Sequence, residues 1–305
     1  MYNMITTNKI KVNDRTRSVH WNKVDINSDK IPKSAYYNNI EIEDIAFDDT
    51  ILIIGERAFA LCYNLIRVDF GDSVEMIDDE SFAHCSALRE ILLPPFLKRI
   101  GTGAFLACHK LEFLIFPPSL KIIDEGAFYG CTSVEILKFV NYQLTNIPIL
   151  HNGECVKNSL QEIGIEAFRE CCMLTKLELP PSLKIIGECA FYGCNSLVEV
   201  EIPESVIKVN PSAFEYCTSL ELLYLNRFSV LSSGAFANCY SLSSIILADD
   251  EGISSYSELE DILELIGIHP AQNINVAGIK LPFQDNPIDY SNVTLFDTAV
   301  NWDYL

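Results

Sequence analysis

Along most of the chain the apolar positions recur in one frame, I-x-x-x-A-F-x-x-C-x-x-L-x-x-[IVL]-x-[LIF]-P-x-S-[LV]-x-x-I, and its clearest copy runs from Ile186 to Ile202. The Phe column falls at Phe59, Phe82, Phe105, Phe128, Phe168, Phe191, Phe214 and Phe236, in steps of 23, 23, 23, 40, 23, 23 and 22 residues. Two local patterns alternate within each copy. The segment L-x-x-[IVL]-x-[LIF], as in Leu88/Ile91/Leu93 or Leu197/Val200/Ile202, alternates over its last positions and predicts a short strand with one face inward. The Ala-Phe-x-x-Cys segment, as in Ala58, Phe59 and Cys62, spaces its apolar residues by one and three, which predicts one short helical turn. Asn210-Pro211 would open such a turn as N-cap and first helical residue. Asp78, Asp124 and Ser232 occupy the Asn210 slot, and Gly55, Gly101, Gly164 and Gly187 take it in other copies, where a chain reversal is predicted. Pro94-Pro95, Pro117-Pro118, Pro180-Pro181 and Pro203 follow the strands and predict corners, because proline ends a ladder.

A unit this short cannot cover its own apolar side, so the units must stack as a solenoid with their strands paired in parallel. The columns I-G-x-x-A-F-x-x-C-x-x-L and L-P-x-S-[LV], present in at least eight copies, resemble the BspA-like leucine-rich repeats, a subclass found in bacterial surface antigens and expanded in some unicellular eukaryotes. Period and resemblance together imply an α/β repeat solenoid. The expected form is a right-handed curved coil with a parallel β-sheet on the concave face and short helical turns on the convex side. The resemblance fixes no activity, since function lives in sites placed on a scaffold.

The frame also divides the chain. Residues 1–30 are polar and basic and are expected to form a loosely ordered leader. Residues 31–247 hold about nine units, the first a worn copy with Tyr36 in the Phe column, Asn39 in the Cys slot and Ile42, Ile45 and Phe47 in the strand. The 40-residue step marks a 17-residue insertion within 140–159, carrying Tyr142, Pro148, His151, Gly153 and Cys155. Insertions in solenoids map to loops, which either bind or are merely tolerated. Residues 248–305 form an acidic tail in which Leu259, Ile262, Leu263 and Ile266 recur at helical spacing. An amphipathic helix there is expected to close the open end of the core; the remainder, with Phe283, Phe296 and Trp302, has no assigned structure.

Charge narrows the partners. The formal charge is −20, spread as +4 over residues 1–39, −14 over 40–247 and −10 over the tail. Such a surface repels phosphate backbones and argues against nucleic acid. No stretch reaches the length of a membrane span, and the first residues lack an apolar signal segment. These features suggest a cytoplasmic monomer, with nuclear residence open and a cell-surface location only if the N-terminus is incomplete. Asn292-Val293-Thr294 is a glycosylation sequon that would matter only on the secretory route.

Eight of the eleven cysteines, Cys62, Cys85, Cys108, Cys131, Cys171, Cys194, Cys217 and Cys239, form a second column. Zinc sites need ligands two to four residues apart, and stacked coils ~4.8 Å apart sit too far, with parallel Cβ vectors, for the ~3.8 Å of a disulfide. A buried thiol ladder acting as small apolar filler is predicted, which suits a reducing compartment. Cys155, Cys172 and Cys189 lie outside it and are the candidates for reactivity. His84 and His109 flank column cysteines in successive units but on opposite sides, so no metal site is expected. No nucleophile elbow, phosphate loop, zincin or dinucleotide motif is present. Neither catalytic residues nor a cofactor are expected.

The outward strand positions define the remaining candidate. Leu92, Phe113, Ile115 and Ile136, with Lys138, would form one apolar patch beside the insertion, and Leu222, Tyr224 and Ile246 a second toward the C-terminal end. Exposed apolar patches rimmed by charge mark interfaces. The sequence therefore predicts a non-catalytic scaffold that binds a protein on its concave face. The alternative is a BspA-like surface antigen or adhesion protein, and in either case the insertion or tail folding over the patches would hide them.

Overall fold

The computed structural model describes residues 10–12, 29–140, 150–151, 154–155, 158–248, 256–268, 274–277 and 293–296. Nine coils stack, each contributing a longer strand and a run of turns, and the first eight also a two-residue strand. The two-residue strands, from Lys30–Ile31 to Lys208–Val209, form one eight-stranded parallel sheet. It comes from the [LV]-x-x-I end of the frame, a strand that the Leu-rich pattern alone had not separated. The longer strands form three sheets. The first runs from Asp44–Phe47 to Glu90–Leu92, with Ile10–Val12 added antiparallel at its edge; the second spans Phe113–Phe116, Ile136–Phe139 and Lys176–Glu178. The third runs from Glu199–Glu201 through Leu222–Leu225 and Ser244–Leu247 to Ile274–Ala277 and Val293–Phe296, all parallel.

The third run is not helical. Among the described residues the only α-helix is Tyr256–Leu265, with one 3-10 turn at Phe228–Val230, so the helical turns expected on the convex side are absent. The hydrogen bonds explain why. In the Phe59 coil the N–H groups of Ala58, Ala60 and Cys62 close turns onto Gly55, Arg57 and Phe59, whereas those of Arg57, Phe59 and Leu61 donate to Asp79, Ser81 and Ala83 of the next coil. A helix would need every N–H for its own i−4 carbonyl. Here alternate donors are turned along the stack instead, and left-handed residues two before and two after each Phe, such as Arg57 (φ 54°) and Leu61 (φ 63°), make that possible. They occupy the third position of turns of type II character. The spacing of one and three puts Ala, Phe and Cys on one face in either geometry, and so could not tell them apart.

Gly55, Gly101, Gly164 and Gly187 are not the reversal points expected from sequence; their φ values lie outside the left-handed region. They allow close approach. A Cβ on Gly187 would lie 2.5 Å from the Gly164 carbonyl carbon and oxygen of the preceding coil. Asn210 likewise caps no helix, and its side-chain amide donates to the Ile186 carbonyl at 2.9 Å.

The core is a set of ladders along the stack. Tyr36 and the eight column Phe rings follow one another at centroid spacings between 4.9 and 5.3 Å and within 9° of parallel. Across the insertion the Phe128–Phe168 step is 5.3 Å and 4°, so the extra chain leaves the stack undisturbed. Each column cysteine donates its thiol to the carbonyl of the preceding coil's column aromatic, from Cys62 to Tyr36 at 3.2 Å through Cys239 to Phe214 at 3.2 Å. Ser119, Ser182 and Ser205, in the P-x-S column, donate their hydroxyls to carbonyls of the preceding coil at the corner.

Both ends of the core are covered. Tyr36 stacks on Phe59, and Ile31 and Ile42 are fully buried, so the worn first unit is a true coil. At the other end Gly234 and Phe236 donate to the carbonyls of Leu265 and Ile266. The helix Tyr256–Leu265 thus leads into the place of the next run of turns, with Leu259, Leu263 and Ile266 buried against the last coil. Strands Ile274–Ala277 and Val293–Phe296, the latter containing Phe296, extend the sheet beyond Leu247. Phe283 and Trp302, like Tyr142 and Pro148 of the insertion, lie outside the described residues.

Candidate functional site: the longer-strand sheets

Parallel register decides which outward residues meet. Ile136 lies opposite Phe113 and Lys138 opposite Ile115. Leu222 lies opposite Ser244 and Tyr224 opposite Ile246 and Glu201. The first group is open: Leu92 is 62 %, Phe113 46 % and Ile115 57 % exposed, with Ile136 and Lys138 half-buried beside them. The second is shallower, with Leu222, Tyr224 and Ile246 all half-buried. Leu92 stands next to the Phe113–Phe116 strand but in a different sheet, because the ladder is interrupted there.

The ladder is interrupted again between Lys176–Glu178 and Glu199–Glu201. Strands Glu90–Leu92 and Lys176–Glu178 share one feature: their inward residues Ile91 and Leu93, or Leu177 and Leu179, are only partly buried, whereas Leu114 and Phe116 are fully buried. Proline pairs follow all three strands, so proline alone is not the cause. The residue before the pair differs, leucine in the two lifted strands and Phe116 in the seated one, where stacking on Phe139 at 4.9 Å and an edge contact to Phe128 hold it down. A groove of about 810 Å³ opens at the second interruption, lined by Leu177, Leu179, Pro181, Pro203, Lys176, Glu178, Glu199, Glu201 and Tyr224.

Charge separates the two apolar patches. Glu178 pairs with Lys138 at 2.9 Å and Lys176 at 3.3 Å. The Lys138 hydrogen bond holds its carboxyl below the usual range, and the same contact raises Lys138. Burial, followed by the fields of Glu199 and Glu201, raises the Tyr224 phenol. Further toward the N-terminal end Arg67 meets Glu90 at 3.1 Å.

The other sequence candidates fall elsewhere. Burial pushes the Cys172 and Cys189 thiols up, away from the thiolate that reactivity requires. Cys155 belongs to a short antiparallel hairpin, Leu150–His151 with Glu154–Cys155. His109 places Nδ1 2.8 Å from the Gly130 carbonyl oxygen, and His84 sits at a left-handed turn position. Among the described residues no three His, Cys, Asp or Glu side chains gather in a metal-binding arrangement, and no helix is long and apolar enough to cross a membrane.

The model of the BspA type leucine rich repeat region matches residues 29–157 and 142–257, in six copies. The chain belongs to the BspA-type leucine-rich repeat family. Solved structures with a similar fold include a leucine-rich repeat protein from Bacteroides ovatus, 22 % identical over 87 % of this chain and 66 % of that one, with a TM-score of 0.52. Others are the T. pallidum leucine rich repeat protein (24 % identity, 55 % and 71 % coverage, TM-score 0.45) and the pneumococcal vaccine antigen PcpA (17 %, 85 % and 69 %, TM-score 0.38). This BspA-type chain thus spans 66 % of the Bacteroides protein's length. A search of curated proteins finds no match.

Proposed function

We propose that this BspA-type repeat protein is a non-catalytic scaffold that engages a protein partner on its concave sheet. The observation that carries the reading is the row Leu92, Phe113 and Ile115, each close to half or more exposed on two adjacent strands of the stack, Leu92 at the edge of one parallel sheet and Phe113 and Ile115 at the edge of the next. Aromatic and aliphatic groups held on a fixed backbone lose little entropy on docking, and such anchors supply most of the energy of an interface. The reading includes a cytoplasmic location, supported by ten described cysteines that are all free thiols. Cell fractionation that finds the protein only at the surface would remove that part.

The test is the double variant Phe113→Ser/Ile115→Ser. Both side chains point outward, so its melting temperature is expected to stay within a few degrees of the parent while capture of partners falls at least about tenfold, a loss of ~1.4 kcal/mol. Retention of every captured partner by a folded double variant counts against the concave face.

A further inference from the structure

The lifted strand at Lys176–Glu178 gives the acidic band a shape that a flat sheet would lack. The floor of the groove is apolar, formed by the partly uncovered Leu177 and Leu179 with Pro181 and Pro203. Its rim carries one lysine against three glutamates, and Glu178 is already engaged by Lys138 and Lys176. Glu199 and Glu201 are exposed and have no ion-pair partner among the described residues. They alternate on one strand with the buried Val200 between them, so their carboxylates project from the same side about 7 Å apart. Tyr224, in register with Glu201, walls the groove on the C-terminal side.

An apolar floor, two unengaged carboxylates and an aromatic wall match a side chain with an aliphatic stem and a cationic head. Methylene stems cover apolar surface while the head stays at the rim, and a guanidinium stacks on a tyrosine face. A bare cation would leave the floor unused, and a phosphate-bearing ligand would be repelled. We infer that the groove takes an extended basic segment of a protein partner, with two cationic side chains two residues apart set against Glu199 and Glu201. The inference rests on the concave-face reading and adds the partner's chemistry to it.

Calorimetric titration of the full chain with acetyl-Gly-Arg-Ser-Arg-Gly-amide at low salt tests it, alongside the same peptide with both arginines replaced by neutral, isosteric citrulline. Saturable binding of the arginine peptide is expected, at least about tenfold tighter than the citrulline form and weakened by salt. The double variant Glu199→Gln/Glu201→Gln should lose about tenfold, with an unchanged circular dichroism spectrum and melting temperature. The charge-matched Glu162→Gln/Glu188→Gln, exposed away from the groove, should lose less than twofold. Absence of saturable binding, equal binding of the two peptides, or equal losses in the two double variants overturns the inference; the last result would mark general attraction to a chain of charge −20. The two readings fail separately. Partner capture lost by Phe113→Ser/Ile115→Ser together with no arginine preference removes the groove alone, whereas capture that survives that variant removes the concave face itself.

Discussion

A column cysteine does two things that the sequence separates only in part. It fills space, and it gives its hydrogen to a carbonyl that its own coil cannot fully satisfy: the Phe59 oxygen accepts the Cys62 N–H within the coil and the Cys85 thiol from the next. Burial keeps six of the column thiols protonated, pushing Cys131 up to about 12 and raising Cys85, Cys108, Cys171, Cys194 and Cys217. In the unfolded chain they ionise near ~8.5. Between these values the unfolded state holds fewer protons than the folded one, so stability falls as pH rises from about 9 toward 12, by ~1.4 kcal/mol per unit for each thiol in that window, and gains no slope from them below about 8. Urea melts at pH 7, 9 and 10.5 will show this, and Cys108→Ala/Cys131→Ala should flatten the alkaline limb. The left-handed positions make a second residue-scale prediction. Ala107 sits at φ 57° where the next coil has Gly130 and a later one Gly193. An L side chain there costs ~1 kcal/mol, so Ala107→Gly should stabilise by about 0.5–1 kcal/mol, against the usual penalty of glycine. A lowered melting temperature would refute the turn geometry.

At the scale of elements, strands were legible because alternation is a property of the strand itself, whereas the run of turns was not, because its hydrogen bonds leave the coil. The insertion shows the difference in another way. Val140 donates to Phe116, as Ala248 does to Leu225 in a later coil, and Ser159 donates to Pro118, so both ends of the insertion bond to the preceding coil although 18 residues separate them. Removing residues 141–157 joins Val140 to Asn158 and restores the 23-residue step with Asn158-Ser159-Leu160 in the place of Pro118-Ser119-Leu120. The shortened chain is expected to fold with a melting temperature within about 5 °C of the parent, since loop length costs little. Loss of cooperative melting would mean that the insertion supports the stack. The two lifted strands were not legible in the sequence, because leucine and phenylalanine are equivalent in the repeat frame and differ only in how they seat on neighbouring coils, where Phe116 finds the rings of Phe139 and Phe128.

For the whole molecule, stability passes from coil to coil, and the ends matter most. The amphipathic spacing of Leu259, Ile262, Leu263 and Ile266 announced a closing helix, but not that its C-terminal end would accept the N–H groups of Gly234 and Phe236 as another coil would. Leu263→Ser puts a hydroxyl where 5 % of the side chain is exposed and should cost about 2–4 kcal/mol. Because the last coil is uncovered first, binding of a hydrophobic dye and hydrogen exchange at Phe236 should rise before global unfolding. Uniform loss of protection across all coils would instead indicate a single cooperative block.

The sequence alone determined the period, the inward columns, the ninth worn coil and the family, because each depends on which side chains must leave water at a fixed spacing. Only the tertiary structure decided that the third run is a ladder of turns, that a second sheet lines the solenoid, and that the ladder of longer strands is interrupted beside Glu199 and Glu201. Those outcomes turn on where a backbone donor finds its acceptor and how well one coil seats on the next, and both are relations between residues that the chain places a full turn apart.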